Sequence, residues 1–191
     1  MKKDILISLC FLIFTITFAA SCSRDNDEIE LSSYAKVNSD NTNLPNKGVL
    51  YSEYKSDETN LLNMIDNNKE TSFSTDHNNF WIIWKASSKT TINHYRIMAS
   101  TDNSTTDPKS WILSASEDSI HWDTLDKETS IQFKNRSDYK DCKFQNEVGY
   151  IYYKLQFTEN NGDSNTHIAE WWMGYGEDVE NLNIDDLMSL A

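Results

Sequence analysis

Short segments rich in aromatic and β-branched residues recur along most of this chain of 191 residues, and polar turns separate them. They include "NFWIIWKA", "TINHYRIMAS", "SWILSAS", "SIQFKN" and "YIYYKLQFTEN". Residues of these types favour strands, and their close spacing is typical of a β-sandwich rather than of strands that alternate with helices. The pattern therefore predicts an all-β fold with a core large enough for one domain.

One segment departs from the strand pattern. In "SDETNLLNMIDN" the apolar residues Leu61, Leu62 and Ile65 fall on one face at helical spacing, and Ser56 or Asp57 stands where a capping residue belongs. We therefore predict one short helix in this segment.

The stretch "DPKSWILSASEDSIHWDTLD", residues 107–126, predicts a hairpin. Pro108 restricts the backbone to a turn that enters a strand. Along that strand Trp111, Leu113 and Ala115 share the core face, because side chains alternate across a strand. The acidic turn then reverses the chain, and Trp122 is predicted to lie in the next strand. We interpret the tryptophans as structural, since buried aromatic rings supply much of the energy of a core; the alternative is that they stack on sugars.

Residues 1–21 are typical of a secretion signal. Lys2 and Lys3 precede the apolar run "ILISLCFLIFTITFAA", which is short for a membrane-spanning helix. The run closes on "AASC", which resembles a bacterial lipobox and predicts cleavage before Cys22 and lipidation of that cysteine. The alternative is an ordinary cleaved signal and a free secreted protein.

Two segments are predicted to flank the domain. Residues 22–47 are rich in Ser, Asp and Asn and predict a flexible tether; the alternative is an arm that packs on the domain through Tyr34 and Val37. Residues 177–191 form an acidic C-terminal tail, which either frays or makes a short amphipathic helix.

Charge and cysteine content narrow the function classes. Asp and Glu number 30 against 17 Lys and Arg, and the net charge of -13 repels phosphate backbones, so a nucleic acid partner is not expected. With Cys10 in the signal and Cys22 at the lipid site, Cys142 has no disulfide partner. No histidine lies near it in sequence, and we predict a half-buried strand cysteine rather than a catalytic thiol.

Four segments, in order, resemble the motifs of discoidin domains, also called coagulation factor V/VIII type C domains. The hairpin is similar to the pattern Ser-x-Asp-Gly-x-x-Trp at Ser116, Asp118 and Trp122, with Ser119 in place of Gly. The segment "MIDNNKETSF" resembles the family's Asp-Gly-x-x-x-Thr-x-Trp loop, with Asn67 in place of Gly.

The other two segments are strands. "FWIIWKASS" resembles the family's Trp-Ile-x-x-Asp-Leu-Gly strand, with Lys85 where Asp is usual, and "YIYYKLQFTENNGDSNTHIAEWWMG" resembles its closing pair. The match covers residues 48–176. It implies an eight-stranded jelly-roll β-sandwich of the galactose-binding-like fold, in which loops at one end meet the ligand.

The resemblance also implies a structural calcium ion, which many bacterial members of the family hold. Its ligands would be the carboxylates of Asp66 and Glu170, the hydroxyl and carbonyl of Thr71, and the carbonyl groups of Asn68 and Ala169. Calcium binds six to eight hard oxygens and accepts carbonyls beside carboxylates. The alternative is that Asp66 and Thr71 cap a turn while Glu170 pairs with a lysine.

Sugar-contacting residues vary within the family, so a glycan site is predicted here from residue type and loop position. Such a site needs an aromatic face for the sugar ring and planar polar groups for its hydroxyls. The candidates are His77, Asn78, Phe80, Asn103, Arg136, Asn161 and Trp172.

The function predicted from these features is a non-catalytic carbohydrate-binding module, lipid-anchored at the outer membrane or cell surface of a Gram-negative bacterium. The alternative is a protein-binding module for cell adhesion or assembly. HExxH, GxSxG and Gly-rich phosphate motifs are absent from the sequence, which argues against an enzyme. A hydrolase built on a carboxylate pair is the third hypothesis.

Overall fold

The computed structural model describes residues 31–40 and 43–176, and these residues form ten strands. The strands are β1 (Ala35–Ser39), β2 (Gly48–Ser52), β3 (Phe73–Thr75), β4 (Phe80–Thr91), β5 (His94–Ala99), β6 (Pro108–Ser116), β7 (Asp123–Glu128), β8 (Tyr139–Lys143), β9 (Gly149–Asn160) and β10 (Thr166–Gly174). No helix in the described part of the chain is long and apolar enough to cross a membrane.

Two antiparallel sheets enclose a shared core. The larger sheet has the order β1-β2-β4-β9-β6-β7, and the smaller one has the order β3-β10-β5-β8. The predicted all-β sandwich is confirmed. The expected number of eight strands is too low, because the short edge strands β1 and β3 complete the two sheets.

Aromatic and aliphatic side chains fill the space between the sheets. Trp111, Leu113 and Ala115 are each 0% exposed, as the alternation along β6 predicts. Trp122 is only half-buried, and Lys154 Nζ lies 4.1 Å from its ring centroid. The structural interpretation therefore holds for Trp111 as a core residue, whereas Trp122 packs at the surface.

The two motif positions that lack glycine keep a left-handed backbone. Asn67 has φ 60° and Ser119 has φ 63°, a region that L-residues other than Asn and Asp seldom adopt. The Ser119 turn is held by Asp118, whose carboxylate accepts the backbone N–H groups of Ile120 and His121, each at 2.8 Å. Local hydrogen bonds thus offset the missing glycine.

The predicted tether of residues 22–47 is wrong in part. Residues 35–39 form β1, which pairs with β2, and the Tyr34 ring meets the Trp81 ring edge-on at 4.8 Å. The alternative of an arm packed on the domain is the better description of this segment. The predicted signal, Cys22 and the tail at 177–191 lie outside the described residues.

The predicted helix is also wrong. The segment forms two 3₁₀ turns, Lys55–Thr59 and Leu61–Met64, because Met64 and Ile65 are drawn into the core while Leu62 is 42% exposed. Asp57 does not cap a helix; its buried carboxylate accepts a hydrogen bond from the Ser52 hydroxyl. Tertiary burial overrides the helical spacing of the leucines.

Cys142 lies in β8 and is 2% exposed. It is thus more buried than predicted. Burial raises the pKa of its thiol above the ordinary value, which agrees with a structural rather than a catalytic cysteine.

The strand registers define two ends of the sandwich. At the upper end, Pro108 pairs with Asn160 and Thr75 pairs with Thr166, so the connections 76–79, 100–107, 129–138 and 161–165 meet there. At the lower end, Gly149 pairs with Thr91, which brings 92–93 and 144–148 together.

The buried side chain of His94 is expected to make the folded protein less stable in mild acid. Burial first, and then the charges of Arg96 and Lys143, lower the pKa of His94 despite the opposing charge of Asp141. The unfolded chain, in which histidine titrates near about 6.5, therefore binds more protons than the folded one. We expect the melting temperature to fall as pH drops below about 6.5 and His94→Gln to flatten that fall. An unchanged slope in the variant would contradict this assignment.

Candidate functional site

The upper end gathers five of the candidate glycan residues from four separate connections. His77 and Asn78 lie between β3 and β4, Asn103 between β5 and β6, Arg136 between β7 and β8, and Asn161 between β9 and β10. These residues are far apart in the sequence, and the antiparallel strand registers bring them to one face of the fold.

A fork-shaped ion pair anchors this face. Arg136 donates from Nη1 to Asp107 Oδ1 at 2.8 Å and from Nη2 to Asp107 Oδ2 at 2.5 Å, and it also reaches the carbonyl of Ser100 at 3.3 Å. Asp107 is 1% exposed, and its carboxylate raises the pKa of Arg136. The guanidinium of Arg136 thus ties two connections together, and its predicted contact with a ligand stays a prediction.

Beside this ion pair lies an open pocket of about 440 Å³. Its walls come from the β5–β6, β7–β8 and β9–β10 connections, from the start of β6 and from the end of β9. The lining includes Thr105, Lys109, Gln132, Phe133, Glu159 and Asn161.

The pocket combines one aromatic ring with planar amides. Phe133 is half-buried and packs partly against the core, which fixes its ring. Gln132 Nε2 donates to Asn161 Oδ1 at 2.8 Å. Asn160 is 4% exposed and donates to the carbonyl groups of Asp163 at 3.0 Å and Asn165 at 2.8 Å, which shapes the loop that carries Asn161.

Charged groups at the pocket are paired with one another. Lys109 Nζ lies 2.6 Å from Glu159 Oε1, and this contact lowers the pKa of Glu159. Thr105 Oγ1 donates to Asp163 Oδ2 at 2.9 Å. The pocket thus presents hydrogen-bonding groups whose formal charges are largely compensated.

Two of the three remaining candidates at the upper end, His77 and Asn103, have structural partners. The rings of His77 and Tyr54 stack with centroids 3.4 Å apart. Asn103 caps a short 3₁₀ turn, since its Oδ1 accepts from the backbone N–H of Thr105 at 3.2 Å. Asn78 is exposed. Of the predicted residues, only Asn161 lines the pocket.

The two predicted aromatic contacts do not line the pocket, and the prediction for Phe80 is wrong. Phe80 is 0% exposed and stacks on Phe157 at 4.9 Å, so its ring belongs to the core. Trp172 is half-buried in β10, pairs in register with Arg96 and donates to Asn67 Oδ1 at 3.3 Å. It therefore lies beside the loop of residues 66–71 and not in the pocket.

The sequence prediction missed Gln132 and Phe133. The segment "SIQFKN" was predicted as a strand, but residues 129–138 contain none. Because Ile131 and Phe133 alternate with polar residues as they would in a strand, the local sequence contains no signal of a loop aromatic.

The predicted calcium ligands do converge. Asn68 donates its backbone N–H to Asp66 Oδ1 at 2.9 Å and to Glu170 Oε1 at 2.6 Å, and Thr71 Oγ1 donates to Asp66 Oδ2 at 2.8 Å. A bulge between Ile168 and Glu170 takes Ala169 out of the ladder with β5. The alternative pairing of Glu170 with a lysine is not what the structure has: its carboxylate accepts from Asn68 and from the Asn43 amide.

The electrostatics of this cluster fit a divalent cation. Glu170 is 0% exposed, and burial together with nearby Asp66 raises its pKa to about 9. Asn43 Oδ1 is buried without a hydrogen-bond partner among the described residues. Two carboxylates, a hydroxyl and an orphaned amide oxygen are the hard donors that calcium binds.

Solved structures of carbohydrate-binding modules share this fold. The family 32 module of AlyQ, in complex with 4,5-unsaturated mannuronic acid, matches with a TM-score of 0.55 and 17% identity over 66% of this chain and 94% of that one. The family 32 module of NanJ from C. perfringens, in complex with galactose, matches with a TM-score of 0.52 and 14% identity over 73% of this chain and 93% of that one.

A third match connects the fold to the resemblance seen in the sequence. The F5/8 type C domain of a Bacteroides fragilis protein matches with a TM-score of 0.53 and 14% identity over 65% of this chain and 88% of that one. The galactose-binding-like jelly-roll fold is therefore confirmed. No family model and no curated protein matches the sequence.

Proposed function

We propose that this protein is a non-catalytic carbohydrate-binding module and that its glycan occupies the upper-end pocket. The observation that carries the proposal is the placement of the Phe133 ring beside the amides of Gln132 and Asn161 in one open concavity. An apolar ring takes the C–H face of a sugar, and planar amides take its hydroxyls. The fold, shared with modules solved in complex with sugars, supports the same function.

The alternative of a protein-binding adhesion module has less support at this end. Among the described residues, the large apolar side chains with the greatest exposure are Leu62, Tyr139, Val148 and Tyr175. None of these lines the upper-end pocket. Protein interfaces favour a broad apolar patch, whereas the upper end is small, concave and polar.

Truncation of Phe133 should weaken glycan binding without unfolding the protein. We expect Phe133→Ala to lower the affinity for the bound glycan about tenfold, because the sugar loses its apolar contact. The measurement is calorimetry with a glycan identified on a broad array.

Phe144→Ala is the matched control, since Phe144 is also half-buried against the core but lies at the lower end. Its affinity should equal that of the wild type. Equal affinities for all three proteins would show that Phe133 is not part of the binding site. If the wild type binds no glycan on the array, the alternative of a protein partner is favoured.

We also propose that a calcium ion is bound by Asp66, Thr71, Glu170 and the carbonyls of Asn68 and Ala169. When bound, the ion would supply positive charge between two neighbouring carboxylates and tie the 66–71 loop to β10. Ala169 and Glu170 lie in β10 of the smaller sheet, whereas Asp66, Asn68 and Thr71 lie in the loop before β3. None of the five lines the upper-end pocket, so the role proposed for the ion is structural.

The proposed location is the outer membrane or cell surface of a Gram-negative bacterium, through a lipid on Cys22. The support is the signal-like run and the "AASC" motif. A lipid anchor and a glycan-binding domain together would hold saccharides at the surface without turning them over.

A further inference from the structure

The charges around the upper-end pocket bear on which glycans it accepts. Carboxylated and sulfated sugars are recognised by cations that make charge-assisted hydrogen bonds to them. Among the described residues, Lys109 is the one cation that lines the pocket, and Arg136 is paired with the lining residue Asp107. What these two side chains already contact therefore determines whether an anionic sugar finds a cationic partner inside the pocket.

Both cations are occupied by carboxylates. The guanidinium of Arg136 is held in a fork by Asp107, with both contacts at 2.8 Å or less. The ammonium of Lys109 lies 2.6 Å from Glu159. An anionic sugar would have to displace a protein carboxylate from either one, and it would meet that carboxylate's repulsion while doing so.

The balance of formal charge at this end is also negative. The four connections of the upper end, together with Lys109 and Glu159, carry six carboxylates against three cations. The carboxylates belong to Asp76, Asp102, Asp107, Asp138, Glu159 and Asp163, and the cations to Lys109, Lys134 and Arg136. The whole chain has a formal net charge of -13. The surrounding potential therefore disfavours the approach of an anion, whereas an uncharged sugar is unaffected by it.

The two ion pairs differ in how readily they could be opened. Asp107 is 1% exposed, so removing its charge would disturb the fold. Glu159 lies at the end of β9, with 54% of its side chain exposed, beside a Lys109 side chain that is 30% exposed. Glu159 is thus the position at which the charge of the pocket can change while the loops stay in place.

We propose that the upper-end pocket selects uncharged glycans and that Glu159 enforces this selection by occupying Lys109. This inference rests on the proposed function, because it assigns a substrate class to the same site. Glu159 acts here as a specificity residue: it keeps Lys109, the one cation among the described residues that line the pocket, from contacting a carboxylate or sulfate.

The test is binding of the purified protein to an array that carries neutral, uronic-acid, sialylated and sulfated glycans. We expect every retained glycan to be uncharged and its binding to be insensitive to salt. A wild type that binds an acidic glycan as tightly as its neutral counterpart overturns the inference while leaving the proposed function intact. A wild type that binds nothing on the array overturns both.

A charge-neutralising substitution tests Glu159 itself. Glu159→Gln leaves Lys109 without its partner, so immobilised polygalacturonate should be bound about fivefold more tightly than by the wild type. That gain should vanish in high salt, since an exposed ion contact is screened. The matched control is Glu147→Gln, which makes the same charge change on an exposed residue at the lower end.

A gain in Glu159→Gln that Glu147→Gln does not show supports the proposal. Equal gains in both variants would mean that net charge alone governs the interaction, and no gain in either would mean that Lys109 does not face the ligand. Either of these results overturns the role of Glu159. Melting curves of both variants establish that the fold is unchanged.

Discussion

Chelation of calcium is expected to lower the melting temperature of this protein by about 5–10 °C. The arithmetic follows from linkage: an ion present at roughly a hundred times its dissociation constant adds about 2.7 kcal/mol, and each kcal/mol moves the melting temperature of a domain of this size by about 2–4 °C. The physical reason is the buried Glu170 carboxyl, whose pKa is raised to about 9 by burial and by Asp66. Without a cation, this group takes up a proton at neutral pH.

The raised pKa of Glu170 also makes the stability of the calcium-free protein depend on pH. A carboxyl with a raised pKa in the folded state destabilises that state as pH rises from the unfolded value near about 4.3 toward about 9. In chelator we therefore expect stability to fall over this window, and calcium should suppress the fall. Calcium binding at neutral pH should also release protons, since a ligating carboxylate must be ionised.

Matched asparagine variants provide the control. Asp66→Asn removes a proposed ligand and should abolish the response to calcium, whereas Asp76→Asn changes the charge of an exposed residue outside the cluster and should retain it. Melting curves of the wild type that coincide with and without chelator would refute the calcium site.

Loss of the Arg136 side chain is expected to destabilise the fold by about 3 kcal/mol, the usual result of leaving a buried charge unpaired. Asp107 is 1% exposed and receives both of its ion-pair contacts from Arg136. The Arg136→Ala substitution therefore leaves the buried carboxylate of Asp107 without a cationic partner. The urea midpoint measures the change. Glycan affinity should fall as well, because the pair ties the 100–107 connection to the 129–138 connection.

A double variant distinguishes the cost of the unpaired Asp107 charge from the cost of the packing lost with the Arg136 side chain. Asp107→Asn in the Arg136→Ala background removes the uncompensated charge and should recover part of the lost stability. A urea midpoint unchanged by Arg136→Ala would show that the pair does not hold the loops.

Much of the sandwich is predictable from local pattern. The alternation along β6 places Trp111, Leu113 and Ala115 correctly, because which face a side chain takes depends on strand geometry alone. The calcium cluster could be nominated through the family resemblance, and Asn67 keeps the left-handed backbone of the glycine it replaces. These features depend on residues close in sequence or on an ordered set of motifs.

The errors arise where a distant partner decides the outcome. Phe80 has the residue type of a glycan site, but its ring is buried against Phe157. Edge strand β1 is polar enough to predict a tether and is ordered by its pairing with β2. Phe133 enters the pocket only because the β7–β8 connection crosses the upper end, which no local pattern encodes.

The most direct test of glycan binding at the upper end is an NMR titration of the isotope-labelled protein with a glycan retained on the array. We predict that the chemical-shift changes concentrate in residues 104–109, 132–133 and 159–162, which line the pocket. Changes concentrated at residues 144–148 and Tyr175, at the lower end, would place the ligand elsewhere and contradict the account.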